Sequence, residues 1–156
     1  MEIVHLTKAD DVARKIDTLF QEEKSKLLEL IPAAAVEHVG GTAVPGLLTK
    51  GDLDINVRVQ EKVFSDAVER LKGAYEINQP HNWTPAYASF KDDSRDLGIQ
   101  LTAVGSPVDY FVAQRDILRA HPGKVVELNR LKEKFEGKDM DSYRLAKGEF
   151  FEKLST

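Results

Sequence analysis

The chain has 156 residues, 42% of them hydrophobic and 31% charged, with a net charge of −4 and no cysteine. This is enough for one domain with a real core, burying about two thirds of the surface exposed when unfolded. The composition excludes disulfides, thiolate nucleophiles and zinc–sulfur sites, and the lack of a basic surplus argues against a dedicated binder of duplex nucleic acid.

Ile3 to Leu6 is a short apolar stretch that reads as an edge strand. Thr7-Lys-Ala-Asp10 has the form of a capping box, with Thr7 placed to accept from a backbone N–H three residues on. Val12, Ile16, Leu19, Phe20, Leu27, Leu30 and Ile31 recur at helical spacing, and Pro32 ends that helix. Ala34 to Val39 suits a buried strand. Leu53, Ile55, Val57 and Val59 then alternate with Asp52, Asp54, Asn56 and Arg58, a period of two that specifies a strand with one aliphatic and one polar face. Lys62 to Lys72 is helical, Tyr75 to Ile77 reads as a strand, and Pro80 to Pro85 is a loop holding the only tryptophan, Trp83. Ala86 to Lys91 and Leu97 to Val104 flank the turn Asp92-Asp93-Ser94-Arg95 and predict a hairpin. After Gly105-Ser106-Pro107 the pattern is helical. It covers Val108 to Ala120, breaks at His121-Pro122-Gly123, resumes over Val125 to Phe135, breaks at Gly137, and closes with Met140 to Leu154. The order predicts an α+β fold: a small mixed sheet backed by helices, within residues 1–107, and a helical C-terminal tail over 108–156, all in one domain of 1–156. No run approaches the roughly 18 apolar residues that span a bilayer, so no membrane partner is expected. The first residues lack a basic start and an apolar run, so a secretory signal is not expected and the cytoplasm is the expected location.

The most informative stretch is Val36 to Val59, VEHVGGTAVPGLLTKGDLDINVRV. Strand parity puts Asp52 and Asp54 on one face, with Cβ atoms roughly 6–7 Å apart. Carboxylates so placed can lean onto one Mg²⁺, or Mn²⁺ in its place, together with substrate phosphates. Gly40 and Gly41 permit a close backbone approach, and their N–H groups with the Thr42 hydroxyl can form an anion-binding concavity. Lys50 is a flexible cation for phosphate. The same residues also read as a plain turn and the wet face of a strand. The stretch is not a phosphate-binding P-loop, because Leu47-Leu48 stand where Lys-Ser/Thr is required.

The pattern Gly-Gly, ten residues, then Asp-x-Asp resembles the signature of the nucleotidyltransferase (DNA polymerase β-like) superfamily, and within it the GrpB-like family. Members carry a stretch like IEHIGSTSVPGLAAKPIIDI where this chain has VEHVGGTAVPGLLTKGDLDI. The family's GSP turn and FRDYLRAHP helix resemble Gly105-Ser106-Pro107 and FVAQRDILRAHP, and its closing Tyr-x-x-x-Lys-x-x-Phe resembles Tyr143, Lys147 and Phe150. The resemblance implies a nucleotidyltransferase-like fold and, from the superfamily, a metal-dependent transfer in which Asp52 and Asp54 hold the metal and carry the chemistry. Gly40, Gly41, Thr42 and Lys50 would bind an NTP. Three departures stand out. Gly41 replaces the superfamily's serine. Asp52 occupies a position that is aliphatic in many members. Gln100 stands where the family has a histidine and the superfamily's third carboxylate is sought, and an amide is a poor ligand for Mg²⁺.

Arg115 and Arg119 are four apart on one helix face and are candidates to bind substrate anions, or else pair with nearby acids. His5, His38, His81 and His121 have no ligand spacing. No Gly-x-Ser-x-Gly elbow is present. The expected partner is a nucleotide or another anionic small molecule. The alternatives are a catalytically inert descendant that binds such a ligand, and an interaction module docking through an apolar stripe on Val125–Leu131 or Tyr143–Phe151. Oligomeric state is not legible.

Overall fold

The computed structural model describes residues 2–154. Along the chain these form β1 (Thr7–Lys8), α1 (Ala9–Leu30), β2 (Ala35–Val39), β3 (Leu48–Thr49), β4 (Leu53–Val59), α2 (Phe64–Lys72), β5 (Glu76–Ile77), β6 (Tyr87–Asp92), β7 (Leu97–Ala103), α3 (Phe111–Ala120), α4 (Pro122–Phe135) and α5 (Met140–Leu154). The main sheet has the order β2-β4-β7-β6-β5. β4 and β7 are parallel and the other neighbours antiparallel, so the sheet is mixed and the fold α+β.

The alternation in β4 decides which layer lies where. Leu53, Ile55, Val57 and Val59 are almost fully buried and face Ile16, Phe20 and Leu27 of α1 and Phe64, Ala67 and Leu71 of α2. Asp54, Asn56 and Arg58 point the other way. They align with Gly98, Gln100 and Thr102 of β7, pair by pair, across the parallel ladder. Over this polar face stand the C-terminal helices. Their apolar stripes meet the β2–β3 connection: Leu118, Val125, Leu128 and Phe150 pack with Val44 and Leu47. The buried positions of α4 and α5 are thus spent internally, while Val126 and Leu145 of the same helices stay exposed.

Several local expectations need correction. Ile3 makes only an isolated bridge with Asp139, and the N-terminal strand is instead Thr7–Lys8, paired with β3. Thr7 is therefore committed to a ribbon and does not cap α1, which starts at Ala9 with no side-chain cap. Asp10 and Asp11 occupy its first turn, where the helix dipole favours them. His121-Pro122-Gly123 is a helix start as much as a break. Pro122 takes the first helical position of α4, where its missing N–H leaves no bond unmade. Trp83 packs on Phe90 with ring centroids 5.2 Å apart and donates its Nε1 to the Asn78 carbonyl. It plugs the core edge.

One ion pair ties the two layers together. Arg58 donates to both oxygens of Asp109, at 2.7 Å each, and Asp109 also accepts from the Gly105 N–H at 2.9 Å. Asp109 has only 6% of its side chain exposed. This clamp holds the start of α3 against the end of β4. Asp109→Ala leaves a partly buried guanidinium unpaired, and we expect it to cost about 3 kcal/mol in chemical denaturation. A loss under about 1 kcal/mol would show that the clamp is a surface pair.

Candidate functional site

The polar face of the sheet and the three C-terminal helices enclose a cavity of about 240 Å³, lined by Gly40, Gly41, Asp54, Gln100, Arg115, Lys132 and Lys147 with an apolar wall that includes Val44, Leu47, Phe111, Leu118 and Phe151. Asp54 is its floor. The carboxylate lies between two glycine backbones. A Cβ on Gly40 would come within 2.9 Å of the Asp54 Cβ and closer still to its Oδ2. A Cβ on Gly98 would meet Oδ1 at 3.0 Å. Gly40 also has φ +76°, a conformation that strains any L side chain. The first glycine of the pair is needed twice, once for the turn and once to admit the carboxylate. Gly41 is needed for packing against Thr49, whose Oγ1 would lie 2.8 Å from an added Cβ.

Burial pushes the Asp54 carboxyl up to about 7, and the charge of Asp52 adds to this. Lys147, Lys50 and a hydrogen bond from Gln100 act in the opposite sense. Across the cavity, Lys132 is only 4% exposed and donates to the Leu48 carbonyl at 2.5 Å. Burial lowers its pKa to about 7, with the neighbouring Lys147 charge contributing. Burial also lowers the pKa of Lys147, whose Nζ lies 5.2 Å from the Tyr143 ring centre. Charges that water would stabilise are held here with little water, which is how binding and catalytic sites are commonly built.

The other expected residues separate. Arg115 reaches the cavity, but its guanidinium is engaged by Glu37 at 2.7 Å, the His38 carbonyl at 3.0 Å and Asp116 at 3.0 Å. Gln100 lines the cavity and leaves its Oε1 buried without a partner. Asp52 is half-buried beside the cavity and acts on Asp54 through charge, but it does not line the cavity wall. Lys50 is exposed and likewise acts at a distance. Thr42 turns away from the cavity. Its hydroxyl donates to the Asp52 carbonyl at 3.0 Å and accepts from His38 Nε2 at 2.9 Å. Burial and the nearby arginines lower the His38 pKa to about 4, so the imidazole is neutral at pH 7 and can be that donor. This chain of bonds fixes the glycine turn to the start of β4. Arg119 lies on the far side of the turn, donating to the Ala43 carbonyl at 2.9 Å. Asp92 and Arg95 pair with each other at the hairpin tip, level with Leu53 at the same end of the sheet, but Arg95 turns to Glu23 of α1 on the opposite face.

Lys132 was not among the expected residues, and Lys147 was seen only as part of a motif. A signal existed for both. Lys132 follows Val125 and Leu128 at the spacing of a buried helix stripe, and Lys147 sits four residues after buried Tyr143 and three before buried Phe150. A lysine on an apolar stripe either snorkels or faces an internal site.

The two carboxylates do not make a metal centre of ordinary composition. Among the described residues no group of three or more His, Asp, Glu or Cys side chains could hold an ion. Gln100 contributes an amide, and ammonium groups face the acids. The donor set does not fit a resident divalent cation.

A family model described as "GrpB protein" matches residues 8–156. A UPF0157 protein of Vibrio cholerae is 33% identical over 150 residues, covering 94% of this chain and 79% of that protein. The fold is similar to the crystal structure of the conserved protein GrpB from Enterococcus faecalis, with a TM-score of 0.72 at 22% identity over 96% of this chain and 97% of that one. A partial overlay, at TM-score 0.45 and 15% identity, relates 79% of this chain to 43% of Cid1, described as having RNA terminal uridylyl transferase activity.

Asp54 makes stability depend on pH in a definite direction. Its carboxyl loses its proton near 3.8 when unfolded and near 7 when folded. Between these values the folded state binds the extra proton, so this group's contribution falls as pH rises from about 4 to about 7 and stays low above. Asp54→Asn lacks the charge. The variant should be more stable than the parent at pH 8 by up to about 4 kcal/mol, with the gap closing near pH 4, in urea unfolding. His38 titrates in the opposite sense in both proteins and cancels in the difference. A gap independent of pH would contradict the raised Asp54 pKa.

Proposed function

This chain belongs to the GrpB family, and we propose that it binds a nucleotide or a similar phosphorylated small molecule in the Asp54 cavity. The observation that carries this reading is convergence: the glycine turn, Lys132 and Lys147 meet in one cavity whose remaining wall is largely apolar. Phosphate oxygens suit the two ammonium groups and the backbone at Gly41. A sugar or base suits the side with Phe111, Leu118 and Phe151. The unpartnered Gln100 Oε1 offers an acceptor to a ligand hydroxyl or amine. Ligand pockets commonly run from about 300 to 1,000 Å³. At about 240 Å³ this one suits a compact group, with the rest of a larger nucleotide lying outside.

Metal-dependent nucleotidyl transfer from an NTP is the second reading, favoured by the Gly-Gly and Asp-x-Asp pattern. Asp52 and Asp54 would then carry Mg²⁺. Against it, among the described residues Asp54 is the one carboxylate that lines the cavity, so no further acid stands ready as base for an attacking hydroxyl. A cytoplasmic setting and a small anionic partner, rather than duplex nucleic acid, go with either reading.

Thermal shift with ATP, GTP, CTP and UTP tests the proposal. Saturation near 100 times Kd adds about 2.7 kcal/mol, which raises Tm by roughly 5–10 °C for a chain of this size. Lys147→Met should abolish the rise. Four flat responses from the folded protein would sink the reading.

A further inference from the structure

At the Asp54 cavity the charges that meet the acids are already supplied by the protein. Lys132 enters from α4 and Lys147 from α5, on the wall opposite the sheet, and exposed Lys50 acts on Asp54 from a distance. A divalent cation placed beside Asp54 would therefore sit among ammonium charges, with only Asp52 as a second carboxylate. The lysines also have donors to spare. An ammonium has three N–H groups, and among the described residues the Leu48 carbonyl is the one hydrogen-bond acceptor of Lys132. Lys147 meets the Tyr143 ring and, among the described residues, no carboxylate or carbonyl at hydrogen-bond distance. Lys132 is buried and bonded, and Lys147 is half-buried with its head over the Tyr143 ring, so both are partly positioned before a ligand arrives, which reduces the ordering cost of binding. Arg115 is less available, because Glu37 and Asp116 already neutralise it.

We propose that Lys132 and Lys147 take the charge-neutralising place of a divalent cation, so that the phosphate group of the ligand binds this cavity without metal. The inference rests on the phosphorylated-ligand reading above and makes it narrower. Lys132 and Lys147 donate to the phosphate oxygens, and the phosphate lies between them and the glycine turn. Asp54, when ionised, attracts the two ammonium groups across the cavity without pairing directly with either among the described residues. In this arrangement the acids position the cations and do not ligate an ion.

Isothermal titration with inorganic pyrophosphate and with ATP as probes, each in EDTA and in Mg²⁺, tests it on the full chain. The expected result is binding in EDTA within about threefold of that in Mg²⁺. Lys132→Met and Lys147→Met should each weaken it at least tenfold in both conditions, with circular dichroism confirming that the variants are folded. Lys147→Arg should retain part of the affinity and serves if either methionine variant fails to fold. Mn²⁺ alone should show no stoichiometric site. Binding that requires Mg²⁺, or lysine variants that bind as the parent does, would overturn the inference and leave the phosphorylated-ligand reading standing. Failure of both probes to bind the folded parent in either condition would overturn both.

Discussion

A carboxylate wedged between two backbones sets the terms for the rest of this structure. Asp54 occupies space that a side chain at Gly40 or at Gly98 would fill, so two glycines from separate segments are required by one acid. The left-handed turn at Gly40 and the parallel register that sets Gly98 beside Asp54 together leave room for that carboxylate. The line from His38 through Thr42 to the Asp52 carbonyl holds the turn to the strand from the other side. The residues of the glycine turn therefore split into two jobs: Gly40 and Gly41 face the cavity, while Thr42 is a tie within the scaffold.

Electrostatics then explains why this face of the sheet is unlike the other. Deep acids and bases also occur at Glu23, but there Tyr75 and Arg95 satisfy the carboxylate directly. In the Asp54 cavity no such pair closes. The acid is pushed up, the lysines are pushed down, and no ion pair within the described residues joins them. A chain selected only for stability would replace these groups with apolar ones at little loss, as buried charges often can be. Their presence together in a partly apolar cavity is the observation from which the proposed phosphate-binding role starts.

Much of the fold was legible because hydrophobic period carries it. The alternation of Leu53 to Val59 located β4 and told its two faces apart, and the Asp92 to Arg95 turn located the hairpin. The misreadings have physical causes. Thr7 has the right type for a cap, but strand pairing with Thr49 takes precedence over local chemistry. Pro122 is a breaker in one direction and a helix starter in the other. At the site, sequence order led to Gly40, Gly41 and Asp54, which lie close in the chain. It could not show that Thr42 points away or that Arg119 lies behind the turn, because those are matters of side-chain direction. Lys132 and Lys147 come from helices 78 and 93 positions later, and only tertiary packing brings them to Asp54.

The site depends most directly on a half-buried Asp54 carboxyl that no cation pairs with among the described residues. A carboxyl-carbon NMR titration, with Asp54→Asn used to assign the signal, measures it. The account predicts a midpoint far above the ordinary 3.8, near 7. A midpoint close to 3.8 would mean that the group is solvated or ion-paired, and would contradict the site described.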